Sequence, residues 1–164
     1  MNTHRGFTLV EILITIAIIG ILSSIILVNV TSARERAMIA KAELEIRSLR
    51  NSVLLLSDDT RLWPGGQDID VVACSGTGNE VMDLSTGSAG ILSNDGTFGS
   101  TWNGPYAQEV PTDPWGRNYF FDTDYSMGGN SWIVAVGSLG PNGGDLGDYD
   151  SDNIVYVVAS STCP

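Results

Sequence analysis

From Gly6 the chain reads Gly-Phe-Thr-Leu-Val-Glu-Ile-Leu-Ile-Thr and then continues apolar to Val30. Phe7 to Val30 spans 24 residues, about 36 Å of helix at ~1.5 Å per residue. An apolar run of this length reads as membrane-spanning. Apart from Gly20, its only breaks are Thr8, Glu11, Thr15, Ser23, Ser24 and Asn29. Small hydroxyls cost little in lipid because they can bond back to their own helix. Glu11 cannot do this. A carboxylate in a membrane helix costs several kcal/mol without a partner, so it is a functional candidate. The competing reading places it at the interface near the helix start, where a negative charge suits the helix dipole.

A short basic leader, His4 and Arg5, precedes this run. A secretory signal peptide would have a shorter apolar core followed by a small-residue cleavage site. Here the run is too long and carries Glu11 near its start, so it is expected to stay attached.

Gly6-Phe7-Thr8-Leu9-Val10-Glu11 resembles the cleavage and methylation motif of type IV prepilins and type II secretion pseudopilins. The resemblance implies a prepilin peptidase that cuts after Gly6 and methylates the new N-terminal Phe7. It also implies that Glu11 pairs with the N-terminal amine of a neighbouring subunit in a filament. Physically, a buried carboxylate and an α-amino cation compensate each other only when the second subunit arrives, so the pair would favour assembly and fix axial register. The implied fold is α+β, the type IV pilin fold: a long N-terminal helix, membrane-spanning in its first half, packed on a small antiparallel sheet with a C-terminal calcium loop. The expected organisation is a leader at 1–6, a transmembrane and polymerisation helix at 7–30 and a globular head at 31–164.

Charge is distributed unevenly. Residues 1–61 carry seven bases against six acids, whereas residues 62–164 carry Arg117 alone against thirteen acids, within a total of −11. A head this acidic will not bind nucleic acid by counterion release, and it favours cations. No nucleic-acid partner is expected.

Beyond Val30, Ala33, Ala37, Ala40, Leu44, Leu49, Val53 and Leu56 recur mostly three or four residues apart, with charged residues filling much of the rest. This predicts one helix over about 8–57, amphipathic in its second half, with Glu43 and Arg47 as a favourable i,i+4 pair. Asp58, Asp59 and Trp63-Pro64-Gly65-Gly66 end it. The stretch 65–104 is rich in Gly, Ser, Thr and Asn and reads as an irregular connection, with a short helix around 88–93. Three strands are predicted at 118–122, 132–136 and 154–158, with a turn at Gly128-Gly129-Asn130.

Two motifs follow. Gly104-Pro105-Tyr106 through Pro111-Thr112-Asp113-Pro114-Trp115-Gly116-Arg117-Asn118-Tyr119 resembles the segment before the sheet in major pseudopilins. It is read as architecture: Asp-Pro starts a turn and Trp115 plugs the groove between sheet and helix. The second motif runs from Ser138 to Ile154 and holds Asp145, Asp148, Asp150 and Asp152. Four carboxylates so close repel one another, and a hard cation such as Ca²⁺ relieves this with six to eight oxygens. The spacing of Asp148, Asp150 and Asp152 starts like an EF-hand, but Asn153 and Ala159 stand where its Gly and Glu belong. The loop instead resembles the calcium loop of major pseudopilins. That resemblance implies Leu139 through its carbonyl, Asn142 and Asp152 as ligands, with Asn153 beside them; Asp145, Asp148 and Asp150 can compensate for the charge that Asn142 lacks. The alternative is a solvated acidic loop without metal. Extracellular calcium sites are typically weak, about 10⁻⁴–10⁻³ M.

Cys74 and Cys163 are the two cysteines. In an exported domain they suggest a disulfide tying the C-terminus to the body, with two free thiols as the alternative.

The expected function is a structural subunit, not an enzyme. The one His lies in the leader, and neither Cys has a base to activate it. Resemblance points to a subunit of a type II secretion pseudopilus, a homopolymer that exports proteins across the outer envelope. Its expected partners are the prepilin peptidase, the inner-membrane assembly platform and minor pseudopilins. The chain would sit in the inner membrane with its head outside the cytoplasm, then pass into a periplasmic or extracellular filament. The alternatives are a type IV pilus subunit for adhesion, motility or DNA uptake, and a monomeric membrane-anchored calcium-binding surface protein.

Overall fold

The structure, a computed structural model, describes residues 6–70, 80–128, 131–145 and 149–162; the side chains of 25–29 and of 161–162 lie outside that description. Two compact units divide at Ala37 and Met38.

Helix α1 (Leu9–Thr60) contributes to both units. In the first, Thr8 and Glu11 form a capping box. The Thr8 N–H and hydroxyl both donate to Glu11 Oε2 at 2.8 Å, and the Glu11 N–H donates to Thr8 Oγ1 at 3.3 Å. Two of the donors left open at a helix start are thereby satisfied. Leu9, Val10, Ile12, Leu13, Ile14, Ile16, Ile18 and Leu22 are all exposed. Among the described residues no helix is long and apolar enough to cross a membrane. The span expected over 7–30 includes residues 25–29, whose side chains are outside the description.

In the second unit α1 buries Ala42, Ile46, Leu49, Val53 and Leu56, spaced four, three, four and three residues apart. This stripe differs from the expected one. Leu44 is 67% exposed and Ala40 is also exposed, while Ile46 takes the core position. The 3.6-residue period sets the spacing of a stripe but not its phase, and the partner surface chooses the phase. Arg47 likewise leaves Glu43. Its Nε donates to the Tyr156 hydroxyl at 2.7 Å, and the i,i+4 ion pair of this helix is Lys41–Glu45 at 3.5 Å.

The helix ends at Thr60, three residues beyond expectation. Arg61 takes the left-handed conformation (φ 60°) and its N–H donates to the Ser57 carbonyl, closing the last turn. The Trp63-Pro64-Gly65-Gly66 segment does more than stop the helix: it is the turn of a two-stranded hairpin, β1 (Leu62–Trp63) and β2 (Gln67–Asp68). Between 80 and 104 the described chain is irregular, with 3₁₀ turns at Gly87–Ala89 and Gly99–Thr101 in place of the expected helix over 88–93.

The main sheet is antiparallel, in the order β3 (Phe120–Ser126), β4 (Ser131–Ser138), β5 (Ile154–Thr162). β4 and β5 extend beyond their expected cores, whereas β3 starts two residues later than expected, at Phe120, and runs on to include Asp122 and Asp124. The β3–β4 turn falls partly on Gly129 and Asn130, outside the described residues. One face of the sheet presents Phe121, Val134, Val136 and Val158 to Ile46, Leu49 and Val53 of the helix, and Trp63, Leu84, Ile91 and Tyr119 join this core. The other face gathers Phe120, Tyr125, Ile133 and Ala135 under Leu139, Tyr149 and Val155. Trp115 is only half-buried and belongs to neither cluster, so it does not plug the groove; Trp63 and Tyr119 fill that space.

Candidate functional site: an oxygen-lined loop at the edge of the sheet

Asp113 anchors the start of the motif block. It is 3% exposed, and its Oδ1 accepts the N–H groups of Trp115 (3.0 Å) and Arg117 (2.8 Å). Its Oδ2 accepts the Ser138 hydroxyl at 2.6 Å, and Ser138 Oγ in turn accepts the Gly140 N–H at 3.1 Å. The Asp-Pro-Trp-Gly turn and the first residue of the acidic loop are thus one hydrogen-bonded unit. Arg117, the one base of residues 62–164, lies 3.8 Å from Asp113, with its guanidinium where a Cβ on Gly143 would stand. Sequence reasoning treated Asp113 as a turn starter and missed this role, because its partner lies 25 residues away.

The loop itself brings together Leu139, Asn142, Asp150 and Asp152 from the expected set. The Asn142 N–H donates to Asp152 Oδ2 at 2.9 Å, and its amide NH₂ reaches Asp150 Oδ2 at 2.7 Å and Asp152 Oδ1. That amide holds the Asp150 carboxyl below the usual carboxylate range. Asp145 is exposed and takes no part in these hydrogen bonds, and Asp148 lies outside the described residues.

Asn153 completes the ring. Its side-chain amide touches the Tyr125 hydroxyl at 3.1 Å, Asp150 Oδ1 at 3.1 Å and the Leu139 carbonyl at 3.3 Å. With its nitrogen turned to Asp150 and Leu139, every group is hydrogen-bonded. With its oxygen turned there, three acceptors would face one another, and a cation, a proton or a donating water would be needed between them. Asn142 differs: its Oδ1 accepts the Gly144 N–H at 2.9 Å, which keeps its NH₂ between the two carboxylates. Leu139 O, Asp150 and Asp152 offer hard oxygens, and with the amide oxygens of Asn142 and Asn153 turned inward and bidentate carboxylates the set would reach the six to eight oxygens that Ca²⁺ takes. The residues present fit the ion.

A second acidic group lies away from this ring. Val81 bridges Phe121 in antiparallel register, which sets Glu80 across from Asp122. Glu80, Asp122 and Asp124 place one oxygen each within 4.8 Å of one another. Burial first, and the neighbouring Asp124 second, push the Asp122 carboxyl up to about 7. Tyr149 is pushed up to about 12 by burial and then by the charges of Asp122, Asp124 and Glu80. Strand-forming residues around two acids gave no sequence signal for this group.

Cys74 and Cys163 both lie outside the described residues.

A capped, apolar helix start, a helix laid on a three-stranded antiparallel sheet and an oxygen-lined C-terminal loop define a class: a pilin-like α+β protein. The comparisons agree. Residues 1–27 match the family described as the prokaryotic N-terminal methylation motif, and residues 85–156 match type II secretion system (T2SS), protein G. Within the pilin-like class, then, the chain resembles protein G of the type II secretion system. It is 26% identical over 149 residues to the type II secretion system core protein G of Vibrio cholerae, covering 90% of this chain and 88% of that one. The protein of the same name from Escherichia coli is 28% identical over 149 residues, covering 91% and 89%. A fimbrial protein of Moraxella nonliquefaciens is 33% identical over 90 residues, covering 55% of this chain and 53% of its own. No solved structure matches the chain at a significant level.

Proposed function

We propose that this chain is a structural subunit that polymerises into the pseudopilus of a type II secretion system. The observation that carries the reading is the joining of two motif blocks in one hydrogen-bonded unit, the Asp113 turn and the Ser138 loop, inside the segment that matches protein G. The methylation motif at the other end supports cleavage after Gly6, methylation of Phe7 and a filament held by its N-terminal helices. The exposed apolar side chains of Leu9 to Leu22 suit lipid first and neighbouring helices afterwards. In this reading the chain is anchored in the inner membrane, works with a prepilin peptidase, an assembly platform and minor pseudopilins, and has no catalytic role. Calcium would be held by Leu139, Asn142, Asp150, Asp152 and Asn153, neutralising the loop so that it closes over the sheet edge.

Glu11→Gln tests assembly cleanly. Gln serves at this capping-box position, so the hydrogen bonds to Thr8 persist while the charge is lost. In cells lacking the native gene, the wild-type chain should restore both export and filaments, and the Gln variant neither. Full restoration by Glu11→Gln would sink the role given to the charge. The similarity to a fimbrial protein favours a second reading, a type IV pilus subunit. Filaments on the cell surface, with protein export independent of the chain, would decide for it.

A further inference from the structure

We propose that Glu80, Asp122 and Asp124 form a second site for a hard divalent cation, calcium, separate from the 139–153 loop. Two observations carry it independently. The first is the register: the Val81–Phe121 bridge sets Glu80 opposite Asp122, and like charges directly across a strand pair are unfavourable unless something lies between them. The second is burial without partners. Asp122 and Asp124 are fully buried, yet Asp122 Oδ2 and both carboxylate oxygens of Asp124 have no hydrogen-bond partner.

The backbone holds them there. Between Asp122 and Tyr125 strand β3 bulges, so Thr123 and Asp124 together oppose Val134. Bulges of this kind re-aim side chains. The Asp124 N–H donates to Asp122 Oδ1 at 2.8 Å, which satisfies one oxygen and leaves the other three open.

An unpaired buried carboxylate is costly, and two side by side cost more. Among the described residues no ion pair reaches any of the three acids, and Arg117 is engaged at Asp113. A shared proton neutralises one carboxylate of the buried pair and leaves the other charged beside Glu80. A divalent cation neutralises both. The donors are all carboxylate oxygens, which selects a hard ion over zinc or copper. Calcium tolerates mono- and bidentate carboxylates and an irregular shell, whereas Mg²⁺ demands a near-ideal octahedron. Glu80 is half-buried and also lines an open cleft with Gly65, Gln67 and Val81, so the outer carboxylate of the group faces solvent.

The test is a count of bound ions on the full-length protein in mild detergent, by equilibrium dialysis against calcium chloride. An Asp150→Asn/Asp152→Asn variant should still hold one ion per chain. Adding Asp124→Asn should remove it, and Glu80→Gln, at the open side, should weaken it at least tenfold. In an otherwise wild-type chain either substitution should remove or weaken one ion and leave the loop's own ion in place. The proposal is overturned if the loop variant binds no calcium. It is equally overturned if neither Asp124→Asn nor Glu80→Gln changes the count or the affinity. Because Glu80 is not in the core, its variant keeps the question decidable should Asp124→Asn fail to fold. Failure of the loop site alone would leave the ion lost with Asp124 or Glu80 as the only one, so the two readings separate.

Discussion

Ser138 donates its hydroxyl to Asp113 Oδ2 at 2.6 Å, and both residues are buried. This one contact ties the turn before β3 to the loop after β4. Ser138→Ala leaves a buried carboxylate oxygen without its donor and should cost about 1–3 kcal/mol. Asp113→Ala removes the acceptor of three hydrogen bonds and should cost more, about 3–5 kcal/mol. Denaturant unfolding of both single variants and the double variant checks this, since the two costs should be strongly non-additive. Simple addition would mean that the pair acts as two separate groups.

Gly140 has φ +67°, and a Cβ there would overlap the backbone carbonyl of Asp152. Gly140→Ala should therefore destabilise the protein by about 2–4 kcal/mol and spread the loop, since both the backbone angle and the space are wrong. A melt in calcium and in chelator would read both effects. An Ala variant that melts like the wild type would contradict the closed loop.

Chelator should lower the melting temperature of the wild-type chain. With weak sites of about 10⁻⁴–10⁻³ M and ~10 mM calcium, mass action contributes about 1.4–2.7 kcal/mol per site. For a chain of this size that is about 3–10 °C, recovered on adding calcium back. Melts that coincide with and without calcium would leave the loop solvated and metal-free.

The Tyr119 hydroxyl donates to Glu45 Oε2 at 2.6 Å, joining the start of the sheet region to the helix. Burial, and then Glu45, push this hydroxyl well above its ordinary range, so it stays protonated and donating at any working pH. Tyr119→Phe should cost about 1–2 kcal/mol, because the ring still fills the core while a partly buried carboxylate loses its donor. Glu45→Gln should cost less, since the amide oxygen still accepts. Equal losses in urea unfolding would argue against this assignment.

Local signals made much of this protein legible in its sequence. The apolar run with Thr8 and Glu11 at its start, the β-branched and aromatic strands and the oxygen-rich loop are short-range patterns; the helix, β4 and β5 form where expected and β3 begins two residues later. Asp145, Asp148, Asp150 and Asp152 stand out as carboxylates crowded into one Gly-rich stretch, whereas Leu139 and Asn142 follow only from the resemblance to the calcium loop of major pseudopilins. What the tertiary structure alone decided was phase, register and partnership. Ile46 rather than Leu44 faces the core because the sheet chose which side of an evenly spaced helix to cover. Trp63 rather than Trp115 fills the groove because the hairpin after the helix folds back over it. Asp113 meets Ser138, and Glu80 meets Asp122, through strand pairings between residues far apart in the chain. Such pairings depend on bulges and on which strands lie side by side, and no stretch of local sequence records them.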